Sequence, residues 1–400
     1  MLRRNALKSL AIAPLGLWAG NAMAAAPAAL GKRVIDRLEL FELKVNHRGN
    51  WLIVRLRTAD GLTGLGDASH AGDSAETVRY LRQFLDVLKG RSVFSAEPFR
   101  QAAAATVAQG GDPAAVAASA LEQALWDLAG KAVGLPVYEL FGGKLRDKIP
   151  LYANINRSAK PRTPEGFAAM ASAAIADGFT AIKMAPFDAI AMDEKDPATI
   201  ARLTNEGIAC AQAVRDAIGL QNDLLIDAHS RFNLTDGLAL AERFKPLNLY
   251  WLEEVTPPEP LDMLAEINRA ATMPTAGGES ITSIEDFYAY IKAGAVDIAM
   301  PDIKFCGGLT GLRKVAGIAE GAGLPVSPHG PASPVGNAAA AHVVATLPNF
   351  TVLEFAYGEV PWRADVLNPP EQIENGELVL TGKPGFGIEL NEKTVARYAV

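Results

Sequence analysis

DLLIDAH (223–229), LYWLEE (249–254), PTAGGE (274–279), VDIAMPD (296–302), LPVSPH (324–329) and FTVLE (350–354) are six versions of one event. Each is a short apolar run that ends in an acid or a histidine, and a helical stretch follows. The polar residues are Asp227, Glu253, Glu279, Asp302, His329 and Glu354, and they recur every 23 to 27 residues. That is the length of one strand, one helix and two short loops. A βα unit repeated at this period predicts an α/β fold, a parallel sheet with helices outside, and enough repeats close it into a TIM-like barrel. Polar groups at the C-terminal ends of successive strands then converge on the barrel mouth.

Working outward, LYANIN (151–156) and FTAIKMAPF (179–187) supply two earlier strands, so the barrel is expected over 149–365. Residues 32–148 have a different period. VIDRLELFELKV (34–45) and WLIVRLRTADGLTGLGDAS (51–69) alternate apolar and polar positions, as an antiparallel sheet with Asp60-Gly61 as a hairpin turn does. A helix is predicted from Ser74, its N-cap, to Gly90. Another has Asp112 as cap, Pro113 at its first position, Leu121, Leu125 and Leu128 along one face, and Gly134 with Pro136 as its stop. These make an α+β capping domain. The glycine-rich β-like tail LVLTGKPGFGIEL (378–390) is expected to return to it, so that 366–400 completes the domain.

The first 26 residues carry Arg3, Arg4 and Lys8, an apolar run from about Leu10 to Ala19, and Ala22-Met23-Ala24 as a cleavage signal. Paired arginines before Leu7-Lys8 resemble a twin-arginine signal, with Ala6 in place of the usual Phe. The expected location is the periplasm, with no membrane attachment of the mature chain. The net charge of −7 lies on a body more acidic than the whole, with no basic stripe, which argues against nucleic acid as a partner. Cys210 and Cys306 read as buried small hydrophobes rather than a disulfide framework or a zinc site.

Three carboxylates on consecutive strands, Asp227, Glu253 and Glu279, repel one another in one mouth unless a cation lies between them. Hard oxygen ligands that leave room for water and substrate point to Mg2+. Glu254 follows Glu253 directly, so strand alternation turns it into the barrel wall. Asp302 is placed to hydrogen-bond His329, fixing its tautomer and raising its basicity. His229 lies two residues after Asp227 and leaves the third strand on the same side. His47, His70 and His342 have no such context.

In this order, Asp, Glu and Glu on strands three to five, an Asp and His pair on six and seven, and a Glu on eight, the site resembles the enolase superfamily, mandelate racemase subgroup. GLTGLGDAS (61–69), LEQALWDLAGKAVGLPVYELFGG (121–143) and GKPGFGIEL (382–390) resemble it too, so the likeness spans nearly the whole mature chain. The resemblance implies a (β/α)7β barrel capped by an α+β domain built from both chain ends. It implies removal of the proton α to a carboxylate, a small-molecule carboxylate substrate, and a homo-oligomer. It also implies that Glu354 is a hydrogen-bond donor with a raised pKa. Racemising members carry K-x-K on the second strand; here Lys183 is followed by Ala185 at the second position, so Lys183 either steadies substrate or packs. LIDAHSRF (225–232) instead resembles the D-x-H of galactonate and gluconate dehydratases, in which the histidine serves the leaving hydroxyl.

The expected reaction is therefore dehydration of an aldonate-type sugar acid to a 2-keto-3-deoxy acid, with His329 as base and His229 as acid. A racemase or epimerase using both histidines as bases, and an exported acid-binding protein without turnover, are the alternatives. Ser69 to Asp73, Phe187 and Arg231 are the expected specificity positions.

Overall fold

The computed structural model describes residues 33–47, 49–69 and 74–400. The export segment expected at 1–26 and the positions from His70 to Asp73 lie outside the described residues. Strands β1 (Ile35–Asn46), β2 (Gly49–Thr58) and β3 (Thr63–Asp67) form a three-stranded antiparallel sheet. Gly61, with φ +92°, takes the left-handed position of the β2–β3 turn, as Asp60-Gly61 predicts. Helices α1 (Ser74–Leu88) and α2 (Ala96–Val133) cover this sheet. The helix expected from Asp112 is only the second half of α2. Gly111, at φ 59° and ψ −154°, breaks the run one residue earlier, and an unforeseen helical segment precedes it. Gly64 and Gly66 of the GLTGLG run lie flush against α2: a Cβ at Gly66 would sit 2.0 Å from Ala120 O. The glycines set the distance between sheet and helix.

Strands β4 (Lys148–Asn154), β5 (Ala181–Met184), β6 (Asp223–Asp227), β7 (Trp251–Glu253), β8 (Thr275–Gly277) and β9 (Ile298–Ala299) pair in sequence order, all parallel. The seventh position is reduced to single bridges from Val326 to Ala299 and to Phe350. The strand β10 (Leu353–Ala356) then pairs with β4 and brings the last strand beside the first.

Each connection carries a helix: α3 (Pro164–Ala176), α4 (Pro197–Ile218), α5 (Leu234–Phe244), α6 (Leu261–Ala270), α7 (Ile284–Lys292), α8 (Gly308–Gly321) and α9 (Pro334–Val344). Their starts are written in the sequence. Thr163, Asp196, Asn233 and Ser283 each accept a backbone N–H of the first turn, and Pro164, Pro197 and Pro334 open their helices. Among the described residues, no helix is long and apolar enough to cross a membrane.

The tail divides. Residues 373–379 form a hairpin whose second strand pairs antiparallel with Lys148–Pro150 at the barrel's edge. Beyond it, Gly385 bonds Val137, and α10 (Glu392–Tyr398) packs on β1. Only the later part therefore joins the capping domain. Cys210 and Cys306 are free and buried.

His342, left without a role by its sequence context, is structural. It is buried, stacks on Tyr138 with ring centroids 5.2 Å apart, and its Nδ1 accepts from Tyr138 N at 3.3 Å. Burial pushes its pKa down to about 4. The unfolded chain protonates this side chain near pH 6.5, while the folded chain holds it neutral. The stability it contributes is therefore complete above about pH 6.5 and is lost as pH falls toward 4, by roughly 3 kcal/mol. Urea midpoints of wild type and His342→Gln between pH 7 and 4 check this. Equal losses in both proteins would remove His342 as the cause.

Candidate active site

Alternation along the strands builds the site in two layers. Tyr152, Ala181, Leu225, Trp251, Ile298 and Val352 point inward and pack together as an apolar floor. Two residues further along the same strands stand Asn154, Lys183, Asp227, Glu253 and Glu354, all buried. Outward-facing Ile182, Leu224, Ile226 and Leu252 hold the strands to the helix layer. Register then sets the level: Asp227 pairs with Glu253 across β6–β7, and Glu253 with Ala276 across β7–β8.

Asp227, Glu253 and Glu279 bring one carboxylate oxygen each to within 4.8 Å of one another. Asp227 Oδ2 and Glu279 Oε2 are buried, and the groups facing them are nitrogens: Lys183 Nζ and His229 Nε2 at 3.0 and 3.2 Å from the first, His329 Nε2 at 3.1 Å from the second. Three clustered carboxylates, faced by the cationic or titratable groups of Lys183, His229 and His329, are a donor set that fits a hard divalent cation. Lys183 lies among them, its Nζ 2.5 Å from Glu253 Oε1, 3.0 Å from Asp227 Oδ2 and 3.9 Å from Glu354 Oε1. Burial would lower its pKa, but these carboxylates outweigh it and hold the ammonium well above its ordinary value. A lysine rather than arginines is thus the resident counter-charge. Burial and Asp227 together push the Glu253 carboxyl well up, against the pull of Lys183. The far oxygen of Glu253 accepts from Trp251 Nε1 at 2.8 Å.

His329 Nδ1 lies 2.7 Å from Asp302 Oδ2, and its Nε2 is 3.1 Å from Glu279 Oε2. Both residues stand in loops beyond β9 and Val326 rather than on strands. Burial would raise the Asp302 carboxyl, but Lys304 and His329 hold it down at about 2. Burial lowers His329, and Glu279, Glu354 and Asp302 together raise it above its ordinary value.

His229 takes a left-handed backbone, φ 46°, which bends the chain back over the strand end. Its N–H donates to Asp227 Oδ1 at 2.9 Å, its Nε2 lies 3.2 Å from Asp227 Oδ2, and its Nδ1 is 2.5 Å from Asp188 Oδ1. Burial lowers its pKa, and Asp227 with Asp188 raises it well above the ordinary value. Asp188 is a residue that the sequence reading missed: it lies in the loop after β5, outside the strand-end period. Asn156 Nδ2 and Arg162 hold it at 3.1 Å and 3.2 Å. The outcome is two histidines, each oriented by an aspartate from a neighbouring loop.

Two expectations need correction. Glu354 is an acceptor rather than an acid: Tyr152 Oη, Asn154 Nδ2 and Gly330 N all donate to it, at 2.9, 2.5 and 3.0 Å. Burial alone would raise its carboxyl, yet Lys183, His329 and these donors hold it down at about 2. Phe187 is a core residue, packed on Phe232 and Phe244. Ser69 is fully buried, its backbone N donating to Asp67 Oδ1 at 2.8 Å, so it belongs to the capping domain's interior. Glu254, φ 41°, turns into the wall toward Gly278 N at 3.4 Å. Burial with Glu279 and Asp227 nearby raises it to about 8.

Asp227, His229, Glu279, Asp302, His329 and Lys183 all line one cavity of about 200 Å3, closed on other sides by Asn156, Arg157, Lys304 and Pro331. Lys304 was also missed, although D-x-K at Asp302 carries the same parity signal as D-x-H at Asp227.

Residues 166–394 match the family described as enolase C-terminal domain-like, and residues 41–142 match the mandelate racemase / muconate lactonizing enzyme N-terminal domain. The chain belongs to the enolase superfamily, mandelate racemase group. It is 32% identical to a D-gluconate dehydratase of Thermoproteus tenax over 99% of this chain and 78% of that one. It is also 32% identical to a D-gluconate/D-galactonate dehydratase of Picrophilus torridus, over 86% and 88% of the two chains. A mandelate racemase/muconate lactonizing enzyme-like protein of Rubrobacter xylanophilus superposes with a TM-score of 0.85 at 32% identity, over 92% of this chain and 98% of that one. These likenesses establish the superfamily's capping domain and barrel in this chain.

Proposed function

We propose that this enolase-superfamily chain is a sugar acid hydro-lyase that converts its substrate to a 2-keto-3-deoxy acid. The observation that carries the reading is the pair of Asp-oriented histidines facing one cavity beside a three-carboxylate cluster. Dehydratase-named relatives at about 30% identity support the same class. His329, held by Asp302, takes the proton from carbon 2. His229, protonated between Asp227 and Asp188, gives a proton to the departing 3-hydroxyl, which leaves as water. The resulting enol takes up a proton at carbon 3 to become the keto acid. Lys183 offsets the carboxylate charge beneath the substrate, and Glu354 fixes the rim through Gly330 and Asn154. Asp227, Glu253 and Glu279 would hold Mg2+, which when bound polarises the substrate carboxylate and makes the α-proton more acidic. The N-terminal Arg3-Arg4 and Ala22-Met23-Ala24 pattern supports export to the periplasm.

Incubation with Mg2+ and a panel of sugar acids, followed by a 2-keto acid assay, tests the reading; silence across the panel sinks it. Deuterium incorporation with inversion and no keto acid would favour an epimerase instead. In deuterated water, His229→Asn is expected to keep α-proton exchange by His329 while elimination falls by about 10²- to 10³-fold. Asp188→Asn should shift the same exchange-to-elimination ratio by about tenfold. If exchange and elimination fall in parallel in both variants, His229 is not the acid.

A further inference from the structure

Two loops on either side of the barrel's closure meet in a chain of four buried charges. Arg157, in the loop after β4, lines the catalytic cavity with a side chain 9% exposed. Its Nη1 donates to Glu359 Oε1 at 2.8 Å, and Glu359 stands in the loop after β10 with its side chain 0% exposed. The same oxygen accepts from Asn46 Nδ2, at the end of β1 in the capping domain, at 3.1 Å. Arg363 comes next. Its Nη1 is 3.8 Å from Glu359 Oε2, while its Nε and Nη2 donate to Glu371 at 2.8 and 3.1 Å. Its Nη1 also donates to Ala332 O at 2.9 Å.

Replacing a buried ion network by apolar residues of similar volume is often neutral or stabilising, so stability alone gives no reason for this one. The hydrogen bonds divide the chain in two. Arg363 is engaged by Glu371 and Ala332, and among the described residues Glu359 Oε2 accepts no hydrogen bond. Glu359 is thus committed through Oε1 to Arg157 and Asn46. Of the four charges, Arg157 is the one that lines the catalytic cavity. A guanidinium on a flexible stem has to be immobilised each time a ligand binds, unless the protein fixes it beforehand. Held in place, its planar fork of donors meets a chain of oxygen acceptors ready to bind, and a sugar acid is such a chain.

We propose that Glu359 is a positioning residue: it holds the Arg157 guanidinium in the orientation that binds the hydroxylated chain of the substrate. This rests on the sugar acid dehydratase reading above. Neither residue moves a proton, so the effect belongs to KM and leaves the ratio of α-proton exchange to elimination unchanged.

The test is a double-mutant cycle on the Mg2+-loaded full chain, with the best-turned-over sugar acid of the panel as substrate. Glu359→Gln keeps the volume and an acceptor oxygen but not the charge, and should raise KM about tenfold with kcat within about threefold of wild type. Arg157→Gln should raise KM about 30-fold. The double variant should be no worse than Arg157→Gln alone, because Glu359 acts through Arg157. Glu371→Gln disturbs the same network at its far end, where it pairs with Arg363, and should leave KM within about twofold of wild type. Glu359→Asp keeps the charge and shortens the reach, and its expected rise in KM, about threefold, serves if the glutamine variant does not fold. A KM unmoved or lowered by the Glu359 variants overturns the inference, since the charge of Arg157 without its partner would by itself favour an anion. Additive losses in the double variant, or a rise in Glu371→Gln equal to that in Glu359→Gln, overturn it too. Each of these results leaves the dehydratase reading intact, whereas no keto acid from any acid of the panel removes that reading and this inference with it.

Discussion

Replacing His329 by Asn is expected to lower dehydration by about 10³- to 10⁴-fold and to abolish exchange of the α-proton in deuterated water. The asparagine amide still donates to Asp302, so the loop keeps its anchor while the proton acceptor is lost. His329 is the group we propose as the base. Its Nδ1 is tied to Asp302 and its Nε2 stands between Glu279 at 3.1 Å and Glu354 at 3.8 Å, at the rim of the carboxylate cluster. Loss of the α-proton NMR signal of substrate in deuterated water reads the step directly. Exchange persisting at the wild-type rate would move the base to another residue.

Lys183→Met is expected to destabilise the metal-free protein by about 3–5 kcal/mol, the range found when one partner of a buried ion pair is removed. Its ammonium lies within 4 Å of three buried carboxylates, Asp227, Glu253 and Glu354. Methionine keeps much of the volume and none of the charge. Because a divalent cation among the same carboxylates replaces part of the missing charge, Mg2+ should raise the unfolding midpoint of the variant more than that of wild type. Urea unfolding in EDTA and in Mg2+ measures both effects. Equal stability of the two metal-free proteins would show that the carboxylates are relieved in another way, by protonation for example.

Much of this was legible because strand alternation and βα periodicity act locally. The six strand-end residues are separated by whole βα units, and the parity that carries Leu225 to Asp227 or Trp251 to Glu253 needs only neighbouring sequence. What escaped depended on other information. Asp188 meets His229 across 41 residues of chain, through a loop whose course no period describes. A protonated Glu354 was implied by the family resemblance alone, and Lys183 with the donors Tyr152, Asn154 and Gly330 reverses that sign. The seventh strand shrinks to one bridging residue, so His329 and Asp302 meet through loop geometry. Phe187 looked like a rim residue by position, yet the interlayer space between α4 and α5 takes it in.

The grip of α2 on the loop that carries Asp302 bears on how such a chain is assembled. Ser119 Oγ accepts from Gly307 N, Glu122 accepts from Leu309 N and Thr310 N at the start of α8, and Gln123 donates to Ile303 O. Arg100 donates to Gly307 O, and one sheet away Asp67 accepts from Ser333 N at the head of α9. Every one of these bonds joins the capping domain to the barrel segments flanking His329 and Asp302. The lid is therefore also the scaffold of the sixth and seventh loops. A chimaera that pairs this barrel with a foreign cap inherits the ligands and histidines but loses the clamp that holds Asp302 and Lys304 in register. Recombination within this architecture has to transfer residues 100–123 and 303–310 as one unit.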